Sequence, residues 1–238
     1  MSRGCVIFDF DGVIADTESL HWAVYNRVLA EFAGEIGERI EISREAYFSR
    51  YIVFGDREGF FHMLRDHGRE ASEEMVGKLA AAKQAIFQER LSDLAEPLPG
   101  VRELLEWLEA HNVPRAICSG AHRDEILRQL DAFELRHHFD VVVAIEDVRL
   151  GKPEPEGYEL AFERLNLEYD AELEKSLSLV IEDSEGGCAA AKAAGLRVLG
   201  VATSLPVERL KRCTTMAVES LLGMDMGMLK GWLGLHRE

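Results

Sequence analysis

The sequence predicts an α/β protein: a doubly wound parallel sheet with an all-helical block inserted after the first strand. Three observations predict it. A short apolar strand opens the chain at Val6-Ile7-Phe8, residues 17–94 carry only helical patterns, and from Pro99 onward apolar strands alternate with amphipathic helices. Such alternation argues for a parallel sheet with helices on both faces. The expected division is an α/β core of residues 1–16 and 95–238 and a helical cap of residues 17–94.

Taken in order, Val6, Ile7 and Phe8 are β-branched or aromatic and suit a strand buried on both faces. Asp9 and Asp11 follow where that strand should end, and Gly12 permits a tight turn. Residues 17–32 read as a helix, with Leu20, Val24, Val28 and Leu29 on one face and Asp16 or Thr17 as its cap. Residues 35–41 are polar with glycine and read as a loop, and 43–94 read as helices. Pro97-Leu98-Pro99-Gly100 marks the boundary, with Pro99 expected in the first turn of the next helix. Strands are then expected over 114–118, 141–145, 177–181 and 198–202, the last of them ending the sheet. Helices are expected over 123–133, 155–165 and 187–194, the third closed by Gly195. The tail at 223–228, rich in glycine and methionine, reads as packing or a loose end.

The chain has 238 residues, 27 of them basic and 43 acidic, for a net charge of −16. A surface of that sign repels polyanions, which argues against nucleic acid or an anionic membrane as partner. No apolar run approaches membrane-spanning length, and no basic-then-apolar leader opens the chain. Cys5, Cys118, Cys188 and Cys213 form no C-x-x-C pair and read as free thiols, which fits a cytoplasmic setting. Composition leaves monomer and homodimer both open.

Chemistry is expected where the strands end, because ligands of an open α/β sheet bind outside its carboxyl edge. Four predicted strand ends carry polar groups: Asp9 and Asp11, Ser119-Gly120, Gly151-Lys152-Pro153, and Glu182-Asp183-Ser184. Each has a plain reading as well. A bare D-x-D fits a surface loop, Ser119-Gly120 a turn, Lys152 a solvated lysine, and Glu182 to Ser184 a helix cap. Joint occurrence at four strand ends argues against coincidence. Crowded carboxylates raise one another's pKa or demand a cation, and hard oxygen donors suit Mg²⁺. With a lysine and a hydroxyl nearby, these are the parts of a phosphoryl-transfer site.

As an ordered set, D-F-D-G-V, S-G, G-K-P-E-P and E-D-S-E-G-G resemble the four motifs of the haloacid dehalogenase-like (HAD) hydrolases, with their Rossmann-like core. The similarity is strongest to the branch of β-phosphoglucomutase and related sugar-phosphate and phosphoglycolate phosphatases, and it spans essentially the whole chain. The resemblance implies Asp9 as a nucleophile forming an aspartyl-phosphate, and Asp11 as general acid and then base. It implies Ser119, Gly120 and Lys152 as the phosphoryl cradle. Asp9, the Asp11 carbonyl, Asp183 and Glu182 would hold Mg²⁺, Glu182 through water or as an orienting carboxylate. Asp11 argues against the dehalogenase and phosphonate-cleaving branches, which lack that second carboxylate. His21 and Lys83 match substrate-binding cap positions of the mutase, and Arg57 matches with a spacing one residue short. Gly120-Ala121-His122 departs from the serine and lysine that follow in the mutase. The expected function is therefore a Mg²⁺-dependent phosphatase acting on a small phosphorylated metabolite such as a sugar phosphate. A sugar-phosphate mutase is the alternative, and a non-catalytic sugar-phosphate sensor is the reading outside enzymology.

Overall fold

The computed structural model describes residues 3–52, 54–91, 96–169 and 172–235. The chain divides into two compact units, Met1–Asp16 with Ala95–Glu238, and Thr17–Leu94.

Six strands form the sheet of the first unit: β1 (Val6–Phe8), β2 (Arg115–Cys118), β3 (Val141–Val143), β4 (Leu179–Glu182), β5 (Arg197–Val201) and β6 (Met216–Val218). Their order is β3-β2-β1-β4-β5-β6, and every pairing is parallel. The helices, in chain order, are α1 (Thr17–Glu31), α2 (Asp56–Asp66) and α3 (Glu73–Arg90) in the second unit. Then come α4 (Val101–Ala110), α5 (Arg123–Ala132), α6 (Glu156–Glu168), α7 (Glu185–Ala193), α8 (Val207–Cys213) and α9 (Met226–Trp232) in the first.

Strand order reverses direction at β1, which pairs with β2 on one side and β4 on the other: Ile7 lies opposite Ala116 and Val180. Connections depart to both sides there and leave a crevice at the strands' carboxyl ends. Side-chain alternation feeds two cores. Ile7, Ala116, Cys118, Val143, Val180 and Val198 pack with Tyr158, Ala161 and Leu165 of α6, Cys188, Ala190 and Ala191 of α7, and Leu210 of α8. The alternate set, Val6, Phe8, Ile117, Leu179 and Ile181, is also fully buried. Burial on both faces is why these strands read as unbroken apolar runs.

The structure corrects the expected elements at three places. The sheet does not end at β5, because Met216–Val218 adds an edge strand whose residues are half-buried. Of the two readings of the glycine- and methionine-rich tail, packing holds and a loose end does not. The tail forms α9, with Leu229 and Leu233 fully buried and the Leu233 carbonyl accepting from the Gly4 N–H at 3.1 Å. Pro99 precedes α4 rather than lying in its first turn; Gly100 makes the entry at φ 90°, and a Cβ there would meet the Leu221 and Leu222 backbone at 2.3 Å.

The second unit contains no strand among its described residues. Between α1 and α2 run a short helix at Ala33–Ile36, a turn at Arg44–Ala46 and a π-helical turn at Tyr47–Tyr51. Ser43 and Ser72 cap by accepting from the Ala46 and Met75 N–H groups. Leu20, Val24 and Val28 of α1 pack with Phe60, Met63 and Leu64 of α2 and Val76 and Leu79 of α3. No described helix is long and apolar enough to cross a membrane.

Candidate active site

The loop after β1 sets the first two carboxylates. The Asp9 N–H still donates to the Ile181 carbonyl at 2.9 Å, so Asp9 is held at the strand end beside β4. The chain then turns: the Phe10 carbonyl accepts from the N–H groups of Ile14 and Ala15, and Gly12 adopts φ 75°. A side chain at Gly12 would be strained by that φ, and its Cβ would also stand 1.8 Å from Asp183 Oδ2. Glycine thus serves both the turn and the close approach of Asp183.

From the neighbouring strand ends come the other groups. Lys152 Nζ donates to Asp9 Oδ1 and to Glu182 Oε1, both at 2.7 Å. Glu182, fully buried, is the best satisfied carboxylate. Its Oε1 also accepts from the Tyr158 hydroxyl at 2.8 Å, and its Oε2 accepts from the Asp183 and Ser184 N–H groups and the Ser184 hydroxyl. Asp183 accepts a short hydrogen bond from Ser204 Oγ. Ser119 Oγ lies 3.3 Å from Asp11 Oδ2 and accepts from the Ala121 N–H at 3.0 Å. Ser184 also caps α7 through the Gly187 N–H, so the helix-cap reading and clustering at the site hold together.

Burial sets the electrostatics. Asp9 is pushed up to about 7, first by desolvation, with Glu182 and Asp11 adding and Lys152 opposing. Asp183 is raised well above the ordinary carboxylate range by burial and then by Asp9 and Glu182. Glu182 goes the other way: burial opposes its charge, yet Lys152 and the hydrogen-bond donors hold it below its ordinary value. Lys152 is likewise held charged by Asp9 and Glu182 against its own burial.

Asp9, Glu182 and Asp183 each place a carboxylate oxygen within 4.8 Å of the others, all three buried. Lys152 supplies the ammonium for Asp9 and Glu182, while Asp183 is left with a hydroxyl and two like-charged neighbours. A hard divalent cation fits that donor set, because it would relieve the repulsion that raises Asp183.

Asp9, Asp11, Ser119, Lys152, Glu182 and Asp183 therefore come together, with open space beside the Gly120 Cα. In the second unit, Lys83 Nζ donates to Asp56 Oδ1 at 2.5 Å and lies 2.7 Å from His21 Nδ1. The same ammonium sits about 5 Å from the Tyr25 and Phe87 rings. Burial, then the Lys83 charge, pushes the His21 imidazole down to about 3, so it is neutral and accepts from Lys83. Arg57 pairs instead with Glu73 at 2.5 Å. Tyr158 and Ser204 are additions to the expected set. A helical tyrosine reads as core, and nothing in the sequence marks the loop after β5.

The family model for haloacid dehalogenase-like hydrolases matches residues 6–201. The chain is 33% identical to a phosphorylated carbohydrates phosphatase of Thermotoga maritima, over 84% of this chain and 86% of that one. It is 29% identical to β-phosphoglucomutase of Bacillus subtilis, over 85% and 80% of the two chains. In fold it is similar to a HAD-family hydrolase from Deinococcus radiodurans, solved with bound phosphate and sodium. That match has a TM-score of 0.78 and 23% identity, and covers 96% of each chain. The chain is an enzyme of the haloacid dehalogenase-like hydrolase family, in its β-phosphoglucomutase-like branch.

Proposed function

We propose that the protein is a Mg²⁺-dependent phosphatase of small phosphorylated carbohydrates, working through an aspartyl-phosphate on Asp9. The observation that carries this reading is the single buried cluster in which Asp9 meets Lys152, Glu182 and Asp183 at the carboxyl ends of β1 and β4.

In this reading Asp9 attacks phosphorus with the oxygen not engaged by Lys152, and the P–O bond to the sugar breaks. Lys152, fixed by Glu182, opposes the burial that raises Asp9, so favouring the attacking carboxylate, and stands beside the phosphoryl oxygens. Asp11 gives its proton to the leaving sugar oxygen, then takes one from the water that hydrolyses the acyl phosphate. Ser119 Oγ donates to a phosphoryl oxygen once phosphate replaces Asp11 as its acceptor. Mg²⁺, held by Asp9, Asp183 and the Asp11 carbonyl, with Glu182 oriented beside it, would draw charge from the transferring phosphoryl group.

Hydrolysis is favoured over mutase activity by Gly120-Ala121-His122, where the mutase pattern has a serine and a lysine. His122 is engaged with Glu146 at 2.7 Å. The His21–Lys83 contact is the observation on the mutase side. A screen of hexose, pentose and triose phosphates with Mg²⁺ separates them. Free phosphate as product, lost in Asp9→Asn and on chelation, supports the phosphatase. Interconversion of glucose 1- and 6-phosphates that requires a bisphosphate establishes the mutase, and no turnover of any ester removes both.

A further inference from the structure

At the opposite, amino edge of the sheet, α4 ends against the turn that leads into β3. Glu109 lies in the last turn of α4, and His137 and His138 lie in the 3₁₀ turn Arg136–His138. Each of the three brings one ligand atom to within 4.8 Å of the others. His138 is only 6% exposed. Its Nδ1 stands 2.9 Å from Glu109 Oε2, yet it is out of line for a hydrogen bond and has no hydrogen-bond partner among the described residues. A buried ring nitrogen left in that condition destabilises the fold unless something satisfies it. Glu109 and His137 stay exposed beside an open hollow of about 850 Å³.

The surroundings also suit a cation. The two arginines lining the hollow are already engaged, Arg102 with Glu96 at 3.2 Å and Arg136 with Asp131 at 3.1 Å. The carbonyl end of α4 carries the negative pole of the helix dipole. The Arg115 Nε–H holds the His138 carbonyl at 2.8 Å, which fixes the turn from behind. Two imidazoles and one carboxylate form a donor set matched to Zn²⁺ and ill suited to Mg²⁺, which wants oxygen.

We propose that Glu109, His137 and His138 form a second metal site, for a zinc-type divalent ion, that ties the end of α4 to the entry of β3. Three protein ligands leave the fourth position to water. Binding draws the donors in from their present spread and raises the stability of the folded chain by mass action.

The test is calorimetric titration of the full chain with ZnCl₂ in excess Mg²⁺, with thermal melts in parallel and Co²⁺ absorption as a spectroscopic probe. One equivalent of Zn²⁺ should bind and raise Tm, and Co²⁺ should give visible bands of low coordination number. His137→Ala and Glu109→Gln change exposed groups and leave the core packed. Each should weaken Zn²⁺ by at least the roughly hundredfold that losing even a supporting partner can cost, and should abolish the Tm rise. Absence of a Zn²⁺ equivalent, or binding equally tight in both variants, overturns the site.

Discussion

Tyr158→Phe tests the buried network on which Asp9 depends. Tyr158 is fully buried, and its hydroxyl donates to Glu182 Oε1 at 2.8 Å, the oxygen that Lys152 also holds. Phenylalanine keeps the ring and leaves no cavity, so the change isolates one hydrogen bond to an ionised acceptor. Such bonds contribute about 1.5–3 kcal/mol. For a chain of this size, about 2 kcal/mol lowers Tm by roughly 4–8 °C. Part of the loss should reach catalysis, because Glu182 anchors the lysine that touches Asp9. A slackening worth about 1.4 kcal/mol in the transition state lowers kcat about tenfold. Calorimetry measures the first effect, and steady-state phosphate release on the best ester from the screen measures the second. The fall should lie in kcat rather than KM if Tyr158 positions the reacting carboxylate. A variant with wild-type Tm and wild-type kcat would refute the reasoning, since Glu182 would then be held without the phenol.

Two further perturbations follow from the same geometry. Gly186 and Gly187 are neighbours in α7, but a Cβ at Gly186 meets nothing within 4 Å, whereas at Gly187 it falls 1.6 Å from Glu182 Oε1. Gly186→Ala should therefore raise Tm by the helix gain of about 1 kcal/mol, and Gly187→Ala should lower both Tm and kcat; equal responses in thermal melts would contradict the placement of Glu182. In the helical unit, His21 stays neutral when folded down to about pH 3 but takes a proton near its ordinary value when unfolded. At this site the unfolded state then binds more protons below neutrality, so the His21 contribution to stability falls as pH falls, by about 2 kcal/mol between pH 7.5 and 5, while the raised Asp9 contributes with the opposite sign. His21→Asn keeps an acceptor for Lys83 without titrating and should flatten that part of the profile in urea unfolding; an unchanged slope would show that His21 is protonated when folded.

Much of the fold was legible because its signals are local and redundant. Val6 to Phe8 and Leu179 to Ile181 are apolar runs because both faces are buried, and the groups that break them, Asp9 and Glu182, sit at the strand ends. Proximity of residues 9, 119, 152 and 183 needed only parallel strands and the reversal of strand order at β1. What escaped lacks such a signal. Met216–Val218 is a three-residue edge strand with half-buried residues, too short to show a period. The composition of α9 hides the buried Leu229 among glycines, and the buried Leu233 lies just past its end. Ser204 reaches Asp183 from a loop, and Tyr158 looks like any core tyrosine until Glu182 is seen beside it. Arg57 matched the cap pattern with a spacing one residue short, and its side chain is taken by Glu73.

The decisive measurement is a rapid acid quench of the enzyme with a phosphorus-labelled sugar phosphate and Mg²⁺, followed by peptide mapping. A hydroxylamine-labile label on the peptide containing Asp9, formed before free phosphate appears and missing from Asp9→Asn along with all turnover, is the expected result. Undiminished phosphate release by Asp9→Asn, with the label on another residue or on none, would show that the chemistry belongs elsewhere.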